Sequence, residues 1–500
     1  MSRKNGGIIG PANTPVGGFL AGVASGVWRT NDLLNFVGNS QWPKAPENID
    51  NSCLFDGSGY AQKSISTAGS GTTATFSAWV KASAEPDKAI FTSYIDSNNF
   101  VEIYFSSGQF RVYHYDGGST SNDVKTNAYY RDQSAWYHFH VIFDTTNGTE
   151  ADRIKIYVNG AEVTSFATSN YPTSSQDLEL SSTSATFNLG ARNGDEQWKG
   201  YMAEVVFIDG QALTPSSFGE TNTATGIWTP KKIGQIANAG TNSFYLNFKD
   251  SSNLGKDESG LSNNFTVSGL ASTDQMTDTC VENFATLNPL NKGSNITISE
   301  GNLKYSCVDY WESISSTFAL SSGKWYVEVK ILSVISTSDN NSIIIAGIAS
   351  PSNTSDWINQ YPGKDSLSYG YDAVDGTYHN NESNTSYGNS LAQNDILGIA
   401  LDMDNKKLYF SKNGTFQNSG VPTSGSTGTG AISIAGDEYY IAVSGYKYSG
   451  GVDAQCSVNF GSPSFSISSG NSDANGHGNF EYAVPSGYYA LNTSNLNTYG

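Results

Sequence analysis

Arg153-Ile-Lys-Ile-Tyr-Val158, followed at once by Asn159-Gly160, is the stretch on which the reading of the fold turns. Apolar and polar side chains alternate at period two, the pattern of a strand with one buried face. Asn-Gly then supplies two residues that tolerate the positive φ of a type I′ turn, so the run reads as one arm of a β-hairpin. Outward from it the same alternation recurs in Trp136-Tyr-His-Phe-His-Val-Ile-Phe143, Phe110-Arg-Val-Tyr-His-Tyr115, Phe100-Val-Glu-Ile-Tyr-Phe105 and Thr75-Phe-Ser-Ala-Trp-Val-Lys81. Downstream, Lys407-Leu-Tyr-Phe-Ser-Lys412 precedes a second Asn413-Gly414, among the runs Lys324–Ile331, Ser342–Ala349, Ile396–Asp402, 439–444 and 456–461. Strands about every ten residues, separated by Gly, Asn, Ser and Asp turns, indicate sandwiches or barrels. No comparable stretch carries apolar residues at helical spacing. The expected fold class is all-β, with two antiparallel β-sandwich domains in tandem behind an extended N-terminal arm.

Length agrees, since 500 residues are too many for one core. The pattern divides the chain into an arm (1–45), a first sandwich (46–215), a connector packed on or extending it (216–290), a second sandwich (291–468) and a C-terminal extension (469–500). Six glycines fall among the first 22 residues of the arm, which argues against a helix there. Its isolated apolar residues Ile8, Ile9, Phe19, Leu20, Trp28 and Trp42 suit a segment that becomes ordered by packing on another subunit.

Charged residues are only 15% of the chain, against roughly 25% in an average globular protein. Aromatics reach 12%, a mixture that suits extracellular β proteins. A formal charge of −19 repels phosphate backbones and anionic lipid, so neither nucleic acid nor a membrane surface is an expected partner. No window approaches the 18 or so apolar residues of a membrane span, and the first residues lack the apolar core of a secretory signal. An extracellular composition without that signal points to release by lysis as part of a virus particle. Cys53, Cys280, Cys307 and Cys456 are scattered without metal-type or paired spacing and read as core residues or free thiols.

Several motifs carry resemblances. Gly323-Lys-Trp-Tyr-Val-Glu-Val329, Asn394-Asp395-Ile-Leu-Gly398-Ile-Ala-Leu-Asp402-Met-Asp404-Asn405, Lys407–Gly414, 440–444 and 458–461 follow one another in the order of the SPRY family, with Asn394 where the family usually has Gly. The resemblance implies a bent two-sheet sandwich that recognises partners through its loops and has no chemistry of its own. Cys53-Leu-Phe-Asp-Gly-Ser-Gly-Tyr60, Phe76-Ser-Ala-Trp-Val-Lys81, Trp136-Tyr-His-Phe139, Ile156–Val163, Asn188-Leu-Gly190 and Gly200-Tyr-Met-Ala-Glu-Val205 resemble laminin G-like, concanavalin A-type jelly rolls. That family implies carbohydrate or protein binding, often near a Ca2+ at the sandwich rim. Ser25-Gly-Val-Trp28, Trp42-Pro43 and Leu491-Asn-Thr493 resemble the ends of phage virion appendage proteins, which often string such modules together.

Jelly rolls include glycoside hydrolases, whose chemistry needs a pair of carboxylates flanking the scissile bond. No strand carries a Glu-x-Asp-x-x-Glu pattern, and Asp402-Met-Asp404 at a strand-to-hairpin corner reads as a hydrogen-bonded turn. His138 and His140 alternate on one strand face without an evident third metal ligand. No nucleophile elbow or phosphate loop appears, so no catalytic residue is expected and the chain reads as no enzyme. Asp96, Asn98 and Asn99 in one loop, with Asp195 beside Asn193 and Glu196 in another, could supply oxygens to Ca2+ or simply form solvated turns. No cofactor is required otherwise. Exposed aromatics stack on sugars and anchor interfaces, which marks Trp198, Trp357, Tyr361 and Tyr378 as candidate ligand-binding residues.

Taken together, the residues and resemblances lead to a homo-oligomeric virion appendage, a tail fibre or similar. It would hold other virion subunits through its arm and attach to host glycan or protein from the particle exterior. The alternatives are a collar or decoration protein contacting only virion subunits and, less favoured, a polysaccharide-degrading enzyme.

Overall fold

A computed structural model describes residues 49–500 apart from 86, 223–224, 235, 334–340 and 353–356. Ile8, Ile9, Phe19, Leu20, Trp28 and Trp42, with the arm they belong to, lie outside the described residues. The rest is all-β, with four large antiparallel sheets in two sandwiches. Both Asn-Gly runs form the expected hairpins: Val158 pairs with Ala161 and Lys412 with Thr415, with φ of 49° and 77° at Asn159 and Gly160 and 46° and 79° at Asn413 and Gly414. In each, the turn asparagine exchanges two hydrogen bonds with a neighbouring strand. Asn159 Oδ1 accepts the His138 N–H at 2.8 Å while its own N–H reaches the His138 carbonyl at 2.9 Å. Asn413 does the same with Ile396, both at 2.9 Å. The side chain thus fixes register across the sheet as well as making the turn.

The first sandwich stacks Ala161–Glu162, Ile154–Val158, Tyr137–Asp144, Thr73–Ala82, Lys199–Asp209, Ser52–Asp56 and Gln275–Met276 in one sheet. The other runs Phe166–Asn170, Ser119–Tyr129, Gln109–Asp116, Asn99–Ser106, Ala89–Asp96, Thr186–Leu189, Tyr60–Ser64 and Thr266–Ser268. Between them Phe76, Phe91, Phe187, Phe207 and Phe244 pack ring on ring. Segment 216–290 therefore adds edge strands to both sheets, and Phe244–Leu246 pairs with Lys199–Asp209. It also covers the outer face of the first sheet, where Trp228 Nε1 donates to His138 Nδ1 at 3.1 Å.

The second sandwich pairs a sheet centred on Glu312–Leu320, Tyr439–Lys447 and Ser342–Ala349 with one centred on Ala454–Asn459, Lys324–Ile331 and Ile396–Asp402. The C-terminal segment lies along the latter. Tyr489 bridges Trp325, and buried Glu328 accepts the N–H groups of Glu481 and Tyr482 at 3.0 and 2.8 Å. Cys53, Cys307 and Cys456 are buried free thiols, and Cys280 is half-buried and free. Among the described residues no helix is long and apolar enough to cross a membrane.

The sandwiches share a continuous core. Leu54, Tyr201 and Met276 of the first cluster with Leu287, Leu303 and Tyr305 of the second, and Tyr201 donates to the Gly301 carbonyl at 2.7 Å. At its edge Lys81 Nζ meets Asp278 Oδ2 at 2.7 Å and Asn283 Oδ1 at 2.7 Å, while Trp136 Nε1 donates to Asp278 Oδ1 at 2.9 Å. Removing one partner of such a buried pair leaves an uncompensated charge. Asp278→Ala is expected to lower unfolding free energy by about 3–5 kcal/mol in urea denaturation; an unchanged midpoint would contradict the structural weight given to this pair.

Candidate functional site

With the outer face of its first sheet covered, the first module presents the outer face of its second sheet. Strand register sets the side chains there in rows. Tyr94, Phe100 and Tyr115 stand opposite one another, as do Thr92, Glu102, Tyr113 and Asp123, and then Tyr104, Arg111 and Lys125. Directly opposed side chains on one sheet face lie about 4.5–5.5 Å apart at Cβ, so each row is a contact row. The aromatic residues enclose an open cavity of about 360 Å3, lined by Tyr94, Phe100, Tyr113, Tyr115, Ser97, Arg192, Asn193 and Asp195. Phe100 is its hub, with ring centroids 6.3 Å from Tyr94, 6.1 Å from Tyr113 and 5.4 Å from Tyr115.

Two arginines fix this surface. Arg111 lies 4.4 Å over the Tyr113 ring and forks onto Asp123 at 2.6 and 2.7 Å. Arg192 arrives on the loop after Thr186–Leu189, lies 5.1 Å over Phe100 and reaches Glu102 Oε2 at 3.4 Å. The loop closes through paired hydrogen bonds between Arg192 and Asp195, 2.7 and 2.9 Å. Tyr113 and Tyr115 anchor their hydroxyls on Thr120 Oγ1 and the Gly118 carbonyl at 2.7 and 2.6 Å, and both rings line the cavity. Rings held at both ends form a preorganised platform for the C–H face of a sugar.

Beneath Arg192, Glu102 is 2% exposed and its Oε1 has no hydrogen-bond partner among the described residues. Burial pushes its carboxyl up to about 7, against the opposing pull of Arg192, which it shares with Glu196 at 3.6 Å. Nearby Tyr104 is pushed up to about 12, again chiefly by burial and against Arg111.

The residues singled out from sequence fall differently. Trp198 is no surface platform: it is 1% exposed and stacks on Phe105 at 5.5 Å, because the loop folds back through a 2.9 Å bond from its N–H to the Gly190 carbonyl. Trp357 is also corrected, since its short helical turn lays the ring onto Ala349 and Ala442. Tyr378 is half-buried, edge-on to Tyr387 at the margin of the second core. Tyr361 joins an aromatic cluster on the second module, 4.8 Å from Trp311, which touches Tyr446 and through it Tyr310 and Tyr448. Tyr310 is 70% exposed.

Asp96 closes its own turn by accepting the Asn98 N–H at 2.7 Å and Asn99 Nδ2 at 2.8 Å, while Asn99 Oδ1 takes the Gly117 N–H. Asp195 alone of the four proposed Ca2+ donors lines the cavity. Among the described residues no three His, Cys, Asp or Glu side chains converge to hold a metal. His138 bonds Ser77 and Trp228, and His140 bonds the Leu213 carbonyl; burial lowers both, His140 to about 4. Asp402 is held by Asn405 and Lys324, and Asp404 accepts the Gly323 N–H, as structural turn groups do.

Reading the sequence missed Tyr94, Phe100, Glu102, Tyr113, Tyr115 and Arg192 as a group. The available signal was aromatic residues at both parities of Phe100–Phe105 and Phe110–Tyr115, where a half-buried strand normally alternates.

Comparison with known families agrees with this architecture. Residues 55–217 match the concanavalin A-like lectin/glucanases superfamily, and residues 324–448 match the SPRY domain. The chain carries a concanavalin A-like module and a SPRY module in tandem. The human HERC1 SPRY domain is similar at 16% identity over 34% of this chain and 96% of its own, TM-score 0.26. Domain 4 of AbnA, a GH43 extracellular arabinanase from Geobacillus stearothermophilus solved with arabinotriose, is similar at 21% identity over 34% of this chain and 76% of its own, TM-score 0.27. No curated protein matches the chain.

Glu102 gives a pH prediction. Its carboxyl is raised from 4.5 to about 7 in the folded state, so between those values the folded protein holds a proton that the unfolded chain releases. The contribution of Glu102 to stability therefore falls as pH rises from about 4.5 to about 7, by about 3 kcal/mol, and is level above. Glu102→Gln is expected to flatten that slope in denaturation curves measured across the range; an unaltered slope would assign it to other groups.

Proposed function

We propose that this chain is a non-enzymatic recognition protein whose concanavalin A-like module binds glycan in the aromatic cavity over Phe100. The observation that carries the reading is the set of four rings, Tyr94, Phe100, Tyr113 and Tyr115, around one open cavity with Arg192 and Asn193 at its side. Sugars need apolar C–H faces stacked and hydroxyls hydrogen-bonded, and the cavity offers both. Glu102 supports the non-enzymatic part: the strongest candidate for an acid catalyst on this face is sealed beneath Arg192, out of reach of a glycosidic oxygen. Incubating the protein with host envelope glycans tests this, and release of products would overturn it.

On a glycan array, Tyr113→Ala in the full chain is expected to weaken saccharide binding about tenfold, the value of one lost stacking contact. Equal binding by the variant, with unchanged circular dichroism, would remove the cavity from the reading. The aromatic cluster of Tyr310, Trp311, Tyr361, Tyr446 and Tyr448 favours a second recognition surface on the SPRY module.

In its biological setting we read the protein as a phage virion appendage, a tail fibre or similar, that attaches the particle to host glycan or protein. The arm, through Ile8, Ile9, Phe19, Leu20, Trp28 and Trp42, would hold other virion subunits. Deleting residues 1–45 is expected to leave both modules folded and to abolish incorporation into particles; retained incorporation would contradict the anchoring role. A collar or decoration role predicts instead that phage carrying Tyr113→Ala adsorb normally.

A further inference from the structure

The outer face of the first sheet holds a second hollow, of about 460 Å3, on the far side of the sandwich from the aromatic cavity. Val206 and Ile208 form its floor, and Ile233, Ile236, Tyr245 and Leu261 its walls. Its aliphatic side is flanked by Asn238, Ser243 and Glu258, and Leu261 is 43% exposed at its rim.

Strand direction says which part of the chain approaches it. Ile49, where the described structure begins, is 7% exposed and packs on Trp79 and Ala203 of this same outer face. Ser52–Asp56 runs antiparallel beside Lys199–Asp209, with Asp56 opposite Lys199 and Cys53 opposite Met202. Traced backwards from Cys53, the chain thus advances past Ala203 toward Val206 and Ile208. Phe244–Leu246 already occupies the edge of that strand from Val205 onward. The upstream chain cannot continue in the sheet there, and Ile49 lies on the outer face, the side on which the hollow opens.

We propose that Trp42-Pro43 of the same chain seats in this hollow and fixes the root of the arm to its own first module. Seven residues lead from Trp42 to Ile49, a reach of up to about 25 Å when extended. Ala203, on which Ile49 packs, is three to five residues from Val206 and Ile208, about 10–17 Å of strand, so the hollow is within reach. Pro43 and Pro46 each bias the residue before them toward extended backbone, which suits a short tether. An indole would bury the exposed aliphatic rim, the type of surface that otherwise invites association. Trp42 thereby leaves the set of subunit-contacting residues and roots the arm, and Ile8, Ile9, Phe19, Leu20 and Trp28 remain to contact other subunits.

Photo-crosslinking of the full chain tests this. The probe is the benzophenone amino acid p-benzoylphenylalanine replacing Trp42, irradiated in an equal mixture of isotope-labelled and unlabelled protein. Crosslinks within one chain to 233–245 or 258–261 are expected. Crosslinks only between labelled and unlabelled chains, crosslinks elsewhere, or none would overturn the proposal. Independently, Ile236→Asp in the full chain should lower amide-exchange protection of residues 36–48 at least about tenfold while leaving Asn99–Ser106 unchanged. Unchanged protection of 36–48 would overturn it as well.

Discussion

Lys81 sits at the junction of the modules with its side chain 1% exposed, 2.7 Å from the Asp278 carboxylate. An ammonium out of water is tolerated only with its partners in place, and here Asp278, Asn283 and the Phe284 carbonyl all come from the connector. Trp136 of the first sandwich donates to the other oxygen of Asp278. Asp278 is held in turn by the Ser462 hydroxyl, which accepts its N–H at 3.0 Å, and its carbonyl accepts from Ser52 at 2.6 Å. The pair is satisfied only when the first sandwich, the connector and the segment after the last strand of the second are all assembled. That requirement couples the two modules to one another.

The coupling decides which sheet faces stay open to solvent. The connector and the neighbouring module together cover the first sheet, so the free sheet face in the first module is the one bearing Phe100, Tyr113 and Arg192. On the second module the Trp311–Tyr446 cluster stays at the surface. Under the proposed recognition role, the shared core and the Lys81–Asp278 pair hold the two surfaces on one assembled unit, which raises the effective concentration of one site for a ligand held at the other.

How much of this was legible depended on range. Asn159-Gly160 and Asn413-Gly414 announced their hairpins because a turn is a local matter of φ, and family motifs located both sandwiches. The Lys81–Asp278 pair spans 197 residues and left no trace in local pattern. Trp198 follows Gly-Asp-Glu-Gln and looked like a loop residue, yet a single hydrogen bond to Gly190 turns it into the core. Period-two alternation identifies which residues share a strand face but not which face stays open; that is settled by the connector. Hence Tyr361 was found near a surface cluster while Phe100 and Tyr113 were passed over as strand residues.

The most direct measurement is a crystal structure of the full chain with a saccharide selected from a glycan array. A sugar ring stacked on Phe100 or Tyr113, with a hydroxyl bonded to Arg192 or Asn193, is the predicted result. A saccharide bound only at the Tyr310–Tyr448 cluster or at the sandwich rim, with the Phe100 cavity empty, would contradict it.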